Sequence, residues 1–495
     1  MEIGDVYMVL IFTFGGLLPN SITMKKIATI LSLAAIAVAC NRGEDLSSSA
    51  PVDSTSAGVV HYKRSDLPGS VTDMNETFSI SAKASGTQLN YTYRGYAKPV
   101  DADNTPFNSD DLAAAAIFAV DDVVFVCWHT NGNAGSPLNN TNPYGGSVAA
   151  YKLSGIGQYT FMDRVDFPNH DFFKMAAHKN TSTGNIEVFV AGQRDPDNSK
   201  YLLAGHYGAT VSRVDYDYIN DEFFEPSFLE LPLPGYAATD IIAASSNYYV
   251  LTGNGTGANN GGGLYEVDRT LNNVKKADIN NIHDGVALAI NPATAVKPGP
   301  GNAYSDLWVL DRRGNNYHIH KFLGLSADIN TGLSNFSSLS ASHSTSVGTI
   351  FPINYERGDL VWALSPNSFS TDMDSLMIAV GSNGIWEAGT GAAGIHSAVD
   401  LGACTGLEYD AGLGVMYYSA GESGMWVIAM GEYANNAGPL VNLYDIVGRF
   451  VPPSTVGGIG GTIPFNIKDI TVYHSRNLAL ASGDGGVFFV QRDKN

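Results

Sequence analysis

The chain is 495 residues long and carries a formal charge of −20, from 28 Lys and Arg against 48 Asp and Glu. That charge repels a phosphate backbone and no Lys/Arg cluster offsets it, which excludes nucleic acid as a partner and makes an anionic lipid surface a poor match. Charged residues are only 15% and aromatics 11% of the chain, which excludes a disordered polymer, and 54 glycines beside 25 tyrosines favour short strands and tight turns over long helices.

In chain order, the first feature is an address. Met24-Lys25-Lys26 is a short basic start, Ile27 to Ala39 is an apolar run of signal-peptide length, and Ala37-Val38-Ala39-Cys40 places small residues before a cysteine. This resembles the lipobox of bacterial lipoproteins, with Ala where Leu is usual three residues before the cysteine. The resemblance implies cleavage before Cys40 and acylation of its thiol. Residues 1–23 carry a separate apolar run, Met8 to Leu18, so translation is expected to start at Met24; an uncleaved anchor over residues 1–39 is the alternative. Residues 40–75 read as the lipidated cysteine and a flexible linker, and residues 76–495 as the folded body. Cys127 and Cys404 lie in different sequence contexts and are expected to stay unpaired.

The body is a repeat. Gly263-Leu264-Tyr265-Glu266-Val267, Gly384-Ile385-Trp386-Glu387-Ala388, Gly424-Met425-Trp426-Val427-Ile428 and Gly486-Val487-Phe488-Phe489-Val490 share one pattern: Gly, aliphatic, aromatic, any residue, small or aliphatic. Each follows a hydrophobic strand. Counting three looser matches, such strands start near residues 123, 186, 248, 307, 376, 415 and 478. The tightest pair, 376 and 415, is spaced like a propeller blade of about 40 residues, and wider spacings are loop insertions. A strand precedes each pair (Asp240–Ala244, Asp284–Ile290, Asp359–Leu364, Asp469–Tyr473) and another follows most (Phe161–Phe167, Phe228–Leu233, Leu440–Val447). Four antiparallel strands repeated seven times predict an all-β, seven-bladed β-propeller. The last unit ends after its third strand, so Asn90–Tyr96 is expected to close the ring as its outer strand, with Thr77–Ala82 beside it.

The order Asp-φ-x-φ, then φ-x-φ-Ala-x-Gly, then Gly-Gly-φ-aromatic-x-Val resembles the LVIVD-type repeat, most closely over Lys468–Val487. The resemblance covers residues 240–495 well and 110–239 loosely, with the first, second and fourth units departing from it. It implies an exported propeller lipoprotein of a Bacteroidetes-like outer membrane, facing the periplasm or the outside, and it implies no reaction.

Candidate site residues follow from propeller topology. Loops entering the innermost strand share a face with loops joining the second strand to the third. Asp111, Asp171, Asp240, Asp284, Asp359 and Asp469 stand at innermost-strand starts, and the long loops Thr130–Gly146, Gln193–Gly208 and Asn254–Gly262 fall on that same face. A carboxylate-rimmed channel mouth would hold a cation such as Ca²⁺ or a polar ligand. The plainer reading is that each Asp caps backbone N–H groups, and either a cap or a cation is needed to stop the ring repelling itself. His129, His170 and His283 lie beside this mouth without a metal-binding spacing, and His318 and His320 share one strand face away from it; all five are expected at the surface. Trp128, next to a long loop, is the candidate for ligand stacking, and Arg194 opens a polar loop at the same mouth. The aspartate of Arg357-Gly358-Asp359 already has a repeat role, so that tripeptide is discounted as an adhesion motif. The metal, if any, stays unassigned.

No Gly-x-Ser-x-Gly, His-Glu-x-x-His or Walker loop is present. The expected role is therefore a membrane-anchored binding or accessory scaffold for an envelope protein or polymer, without a catalytic residue. The alternative is a propeller hydrolase, lactonase or lyase with a polar site at the channel mouth.

Overall fold

In the computed structural model, the described residues are 52–53, 60–63, 71–81, 88–98, 112–130, 145–155, 157–167, 169–194, 208–244, 247–253, 262–276, 282, 284–290, 304–313, 316–326, 341–349, 359–363, 375–379, 385–388, 401–402, 404–410, 413–429, 446–456, 463–474, 476–483 and 485–493. Every regular element among them is a strand. Among the described residues no helix is long and apolar enough to cross a membrane.

Four strands come before the first repeat: β1 (Val52–Asp53), β2 (Val60–Lys63), β3 (Val71–Ser81) and β4 (Gln88–Ala97). The first sheet is built on β5 (Leu112–Val120), β6 (Val123–Thr130), β7 (Gly146–Ser154) and β8 (Gln158–Phe167). The second uses β9 (His170–Lys179), β10 (Ile186–Arg194), β11 (Ala209–Asp217) and β12 (Glu222–Pro232). The third uses β13 (Ala237–Ala244), β14 (Asn247–Gly253), β15 (Gly263–Asp268) and β16 (Val274–Lys276). The fourth uses β17 (Gly285–Ile290), β18 (Tyr304–Arg313), β19 (Asn316–Ser326) and β20 (Ala341–Thr349). The fifth uses β21 (Asp359–Ala363), β22 (Ser375–Ala379) and β23 (Ile385–Ala388). The sixth uses β24 (Gly406–Asp410), β25 (Val415–Ser419), β26 (Met425–Ala429) and β27 (Ile446–Phe450). The seventh begins with β28 (Asp469–Tyr473), β29 (Asn477–Ala481) and β30 (Val487–Arg492).

Within each sheet the strands run antiparallel in sequence order. The first strands of successive sheets touch in the order β5, β9, β13, β17, β21, β24, β28, and β28 touches β5 again. This is a β-propeller arrangement, with the seven sheets radiating from a ring of innermost strands.

Closure follows the sequence expectation. β4 pairs with β30, with Tyr96 opposite Phe488 and Thr92 opposite Gln491, and β3 adds a fifth strand beside β4. The motif glycines make room for the outermost strands. Gly424 and Gly486 both have positive φ, and a Cβ on either would collide with the carbonyl oxygen of Phe450 on β27 or Ala97 on β4. Apolar clusters fill the seams. One joins β4, β25, β26 and β29; another joins β6, β7, β29 and β30 through Val126, Ala149, Ala479 and Phe489. Both faces of the sheets are covered, which is why apolar-polar alternation is weak in the sequence.

The linker expectation is corrected in part. Within residues 40–75, expected as the lipidated cysteine and a flexible linker, β1 pairs with β12 and β2 pairs with β8. The outer strands of the first two sheets have unpaired edges, and the preceding chain supplies the missing hydrogen bonds. The segment thus runs against chain order, along the second sheet, then the first, then the seventh. Cys40 and the residues before it lie outside the described residues.

Candidate functional site at the centre of the ring

Strand register decides which side chains reach the centre. β13 is bulged at Thr239, so Asp240 pairs with Leu251. β9 is bulged at Phe173, so Lys174 pairs with Ala191. β5 is bulged at Ala115 and β17 at Val286, placing Ala116 opposite Cys127 and Ala287 opposite Leu310. In β21, β24 and β28 the matching residues are Asp359, Gly406 and Asp469. From the first sheet to the seventh, the central position therefore reads Ala116, Lys174, Asp240, Ala287, Asp359, Gly406, Asp469.

The three aspartates do the same work. Asp240 Oδ2 accepts the N–H of Leu288 at 2.6 Å, Asp359 Oδ2 accepts that of Leu407 at 2.8 Å, and Asp469 Oδ2 accepts that of Ile117 at 3.1 Å. Each acceptor lies on one sheet. Each donor is the residue after the small central residue of the next sheet. A small side chain there lets the carboxylate reach the backbone. A buried hydrogen bond contributes about 0.5–1.5 kcal/mol, and about twice that where the acceptor is ionised, so three of them are substantial links between sheets that share no continuous strand ladder.

These links join the third sheet to the fourth, the fifth to the sixth and the seventh to the first. Among the described sheets, the second takes part in none of these three links. That sheet carries Lys174, whose Nζ lies 3.3 Å from Asp469 Oδ1 and 4.0 Å from Asp359 Oδ2. Burial opposes the ammonium charge, but Asp469, Asp359 and Asp240 together raise its pKa above that of an ordinary lysine. Glu408 on β24 lies one step along the channel and accepts the N–H of Val472 on β28 at 3.4 Å. Burial, with Lys174 only partly compensating and Asp359 adding repulsion, pushes Asp240 up to about 7. Burial, reinforced by Asp469 and Asp359, pushes Glu408 up to about 8.

The structure divides the six aspartates proposed for the mouth. Asp240, Asp359 and Asp469 converge at the centre. Asp171 and Asp284 do not occupy equivalent positions, because each precedes a bulge and stands three residues before the central one. Asp171 Oδ1 lies 3.9 Å from His129 Nδ1, and Asp284 pairs with Arg312 of its own sheet while its N–H donates to Asp311 Oδ1 at 2.7 Å. Asp111 and His283 lie outside the described residues.

The other candidates divide as well. Trp128 has no exposed surface and packs with Val126, Ala149 and Phe489, so its ring faces are closed to a stacking ligand. His170 and His320 are buried, against the expectation of surface histidines, because each meets a buried carboxylate: His170 Nε2 is 3.3 Å from Glu230 Oε1 and His320 Nε2 is 3.4 Å from Asp311 Oδ2. Arg194 is also buried, with Nη1 2.6 Å from Glu230 Oε2, rather than opening a solvated loop. Burial alone would raise Glu230; His170 and Arg194 overrule it and hold the carboxyl at about 2. His129 sits with its ring beside Phe173.

Sequence reasoning missed Lys174, Glu408 and Glu230. Lys174 is hidden by the bulge at Phe173, and aligning the units on their second strands and then counting back across the register would have found it. Cys127 and Cys404 are free and buried, as expected, and burial pushes both thiols well up. Among the described residues no group of three or more His, Cys, Asp or Glu side chains is arranged to hold a metal ion.

No family model and no curated protein matches the chain. Among solved structures that it resembles is a putative 6-phosphogluconolactonase from Bacteroides uniformis, at 12% identity and a TM-score of 0.42, over 72% of this chain and 90% of that one. A likeness that remote carries no information about activity.

Proposed function

We propose that the protein is an exported, lipid-anchored propeller of seven blades, one per sheet, that serves as a binding or accessory scaffold for an envelope protein or polymer. The supporting observation is the use made of the central carboxylates. Asp240, Asp359 and Asp469 each hold a backbone N–H of the next sheet, and Lys174 stands among them. A catalytic metal or a polar substrate at that point would have to displace both. The polar groups best placed for channel chemistry are thus spent on holding the ring together. Recognition then falls to the face of the ring on which the second strands end and the third strands begin.

The test is site-specific photo-crosslinking in native membranes. A crosslinker at Asn259, between β14 and β15, is expected to give one discrete adduct. The same group at Ile219, in the exposed turn between β11 and β12 on the opposite face, is expected to give none. Adducts from both positions, or from neither, overturn the reading.

A further inference from the structure

The centre of the ring holds more acid than base. Lys174 on β9 is the ammonium that faces Asp240 on β13, Asp359 on β21 and Asp469 on β28, and Glu408 on β24 adds a fourth carboxyl within reach of the same charges. The remaining titratable groups nearby do not redress the balance. Asp171, also on β9, is set against His129 on β6. On the side of β17, Asp284 is paired with Arg312, and Asp311 with His320. The Cys127 and Cys404 thiols are neutral through burial. With every carboxyl ionised, one positive charge would face four negative charges in a part-buried space.

The two carboxyls that are not in direct contact with the ammonium are Asp240 and Glu408, and each links two sheets. Asp240 joins β13 to β17 through Leu288, and its other oxygen accepts the N–H of Ile241 at 2.8 Å. Glu408 joins β24 to β28 through Val472. A protonated carboxyl still has one carbonyl oxygen to accept the N–H of Leu288 or Val472, so protonation leaves the links between sheets in place and removes the repulsion, with the hydroxyl oxygen of Asp240 turned to Ile241 of its own strand.

We propose that this cluster is a proton-controlled lock on the ring: with Asp240 and Glu408 protonated the sheets are held together, and loss of the two protons loosens the β13–β17 and β24–β28 seams. The direction follows from the placement of Asp240 and Glu408 beside Asp359 and Asp469 without a direct contact to Lys174, and the raised carboxyl pKa values agree with it. The unfolded chain releases these protons in the ordinary carboxylate range, whereas the folded chain keeps them until about pH 7 for Asp240 and about pH 8 for Glu408. Stability contributed by the retained protons is therefore full at low pH, declines as pH rises through that window, and levels off above it.

The experiment compares the full chain with Asp240→Asn, Glu408→Gln and the double variant. Each amide keeps an oxygen for the N–H and cannot ionise. The melting temperature of the wild type is expected to fall by about 5 °C between pH 6 and pH 9, and that of the double variant to stay flat and to exceed the wild type at pH 9. The same runs are made in EDTA, so that a bound cation cannot produce the trend. Equal slopes for the two proteins, or a double variant that melts lower at pH 9, overturn the proposal. Should a variant fail to fold, hydrogen exchange on the wild type decides. After correction for intrinsic rates, protection of peptides covering Leu288 and Val472 is expected to drop about tenfold from pH 6 to pH 8.5, while that covering Ile117, held by Asp469, stays constant. A uniform drop, or none, overturns it.

Discussion

At the scale of single residues, the same side chain means different things one register step apart. Asp240 and Asp284 both open innermost strands in the sequence, but only Asp240 reaches the centre of the ring. The bulges that separate them leave no simple trace in composition, because a bulge is set by backbone pairing rather than by residue type. Capping by Asp was legible; that the caps cross to the next sheet was not, since the donor lies 48 residues on for Asp240 and Asp359 and 352 residues away for Asp469. Lys174 carries the clearest consequence. Lys174→Met removes the ammonium that faces Asp469, Asp359 and Asp240 and is expected to destabilise the fold by about 3–5 kcal/mol, more than any single central Asp→Asn change, as read by denaturant unfolding at pH 7. Glu230 gives an acid-side prediction. Its carboxyl is depressed to about 2, so its contribution is fully present above the ordinary carboxylate range and is lost as pH falls through about 2. Glu230→Gln should lower the melting temperature at pH 7, and its deficit against the wild type should shrink between pH 4.5 and pH 2.

At the scale of elements, the repeat was legible nearly strand by strand. The second strands expected near 123, 186, 248, 307, 376, 415 and 478 are β6, β10, β14, β18, β22, β25 and β29, each starting within three residues. The signal was strong because strands such as β10, β14, β25 and β29 are buried on both faces. The edge strands β1 and β2 were not legible. Strands of two and four residues carry no periodicity, and their pairing is dictated by the open edges they cover. Their removal should therefore matter less than that of β4. A chain beginning at Val71 is expected to remain monomeric in light scattering, and one beginning at Leu112 to self-associate through the bare edge of β30. Gly486→Ala tests the closure at one atom. Its positive φ and the carbonyl of Ala97 both oppose a Cβ, so this change should destabilise the docking of β4 and raise proteolysis within residues 71–97.

At the scale of the whole molecule, the formal charge of −20 sits beyond residue 39, because Glu2 and Asp5 cancel Lys25 and Lys26 in the leading segment. Attachment to the membrane would then rest on the lipid alone. Cys40→Ser is expected to move the protein from the membrane to the soluble fraction, and retention in the membrane would show an anchor of another kind. The ring itself has a consequence for the order in which the molecule is made. Thr92 Oγ1 donates to Asp493 Oδ1 across 401 residues of sequence, and the N–H of Asp493 donates to the carbonyl of Asn90. The strand that completes the seventh sheet is thus synthesised long before its partner and must wait for β30 to arrive. A nascent chain holds no finished ring at any moment before β30 has been made. A chain cut short by even its last dozen residues lacks β30, and the waiting strand is left as a marker that proteases can read. The clasp therefore doubles as a timing device, tying the onset of the closed ring to the arrival of β30.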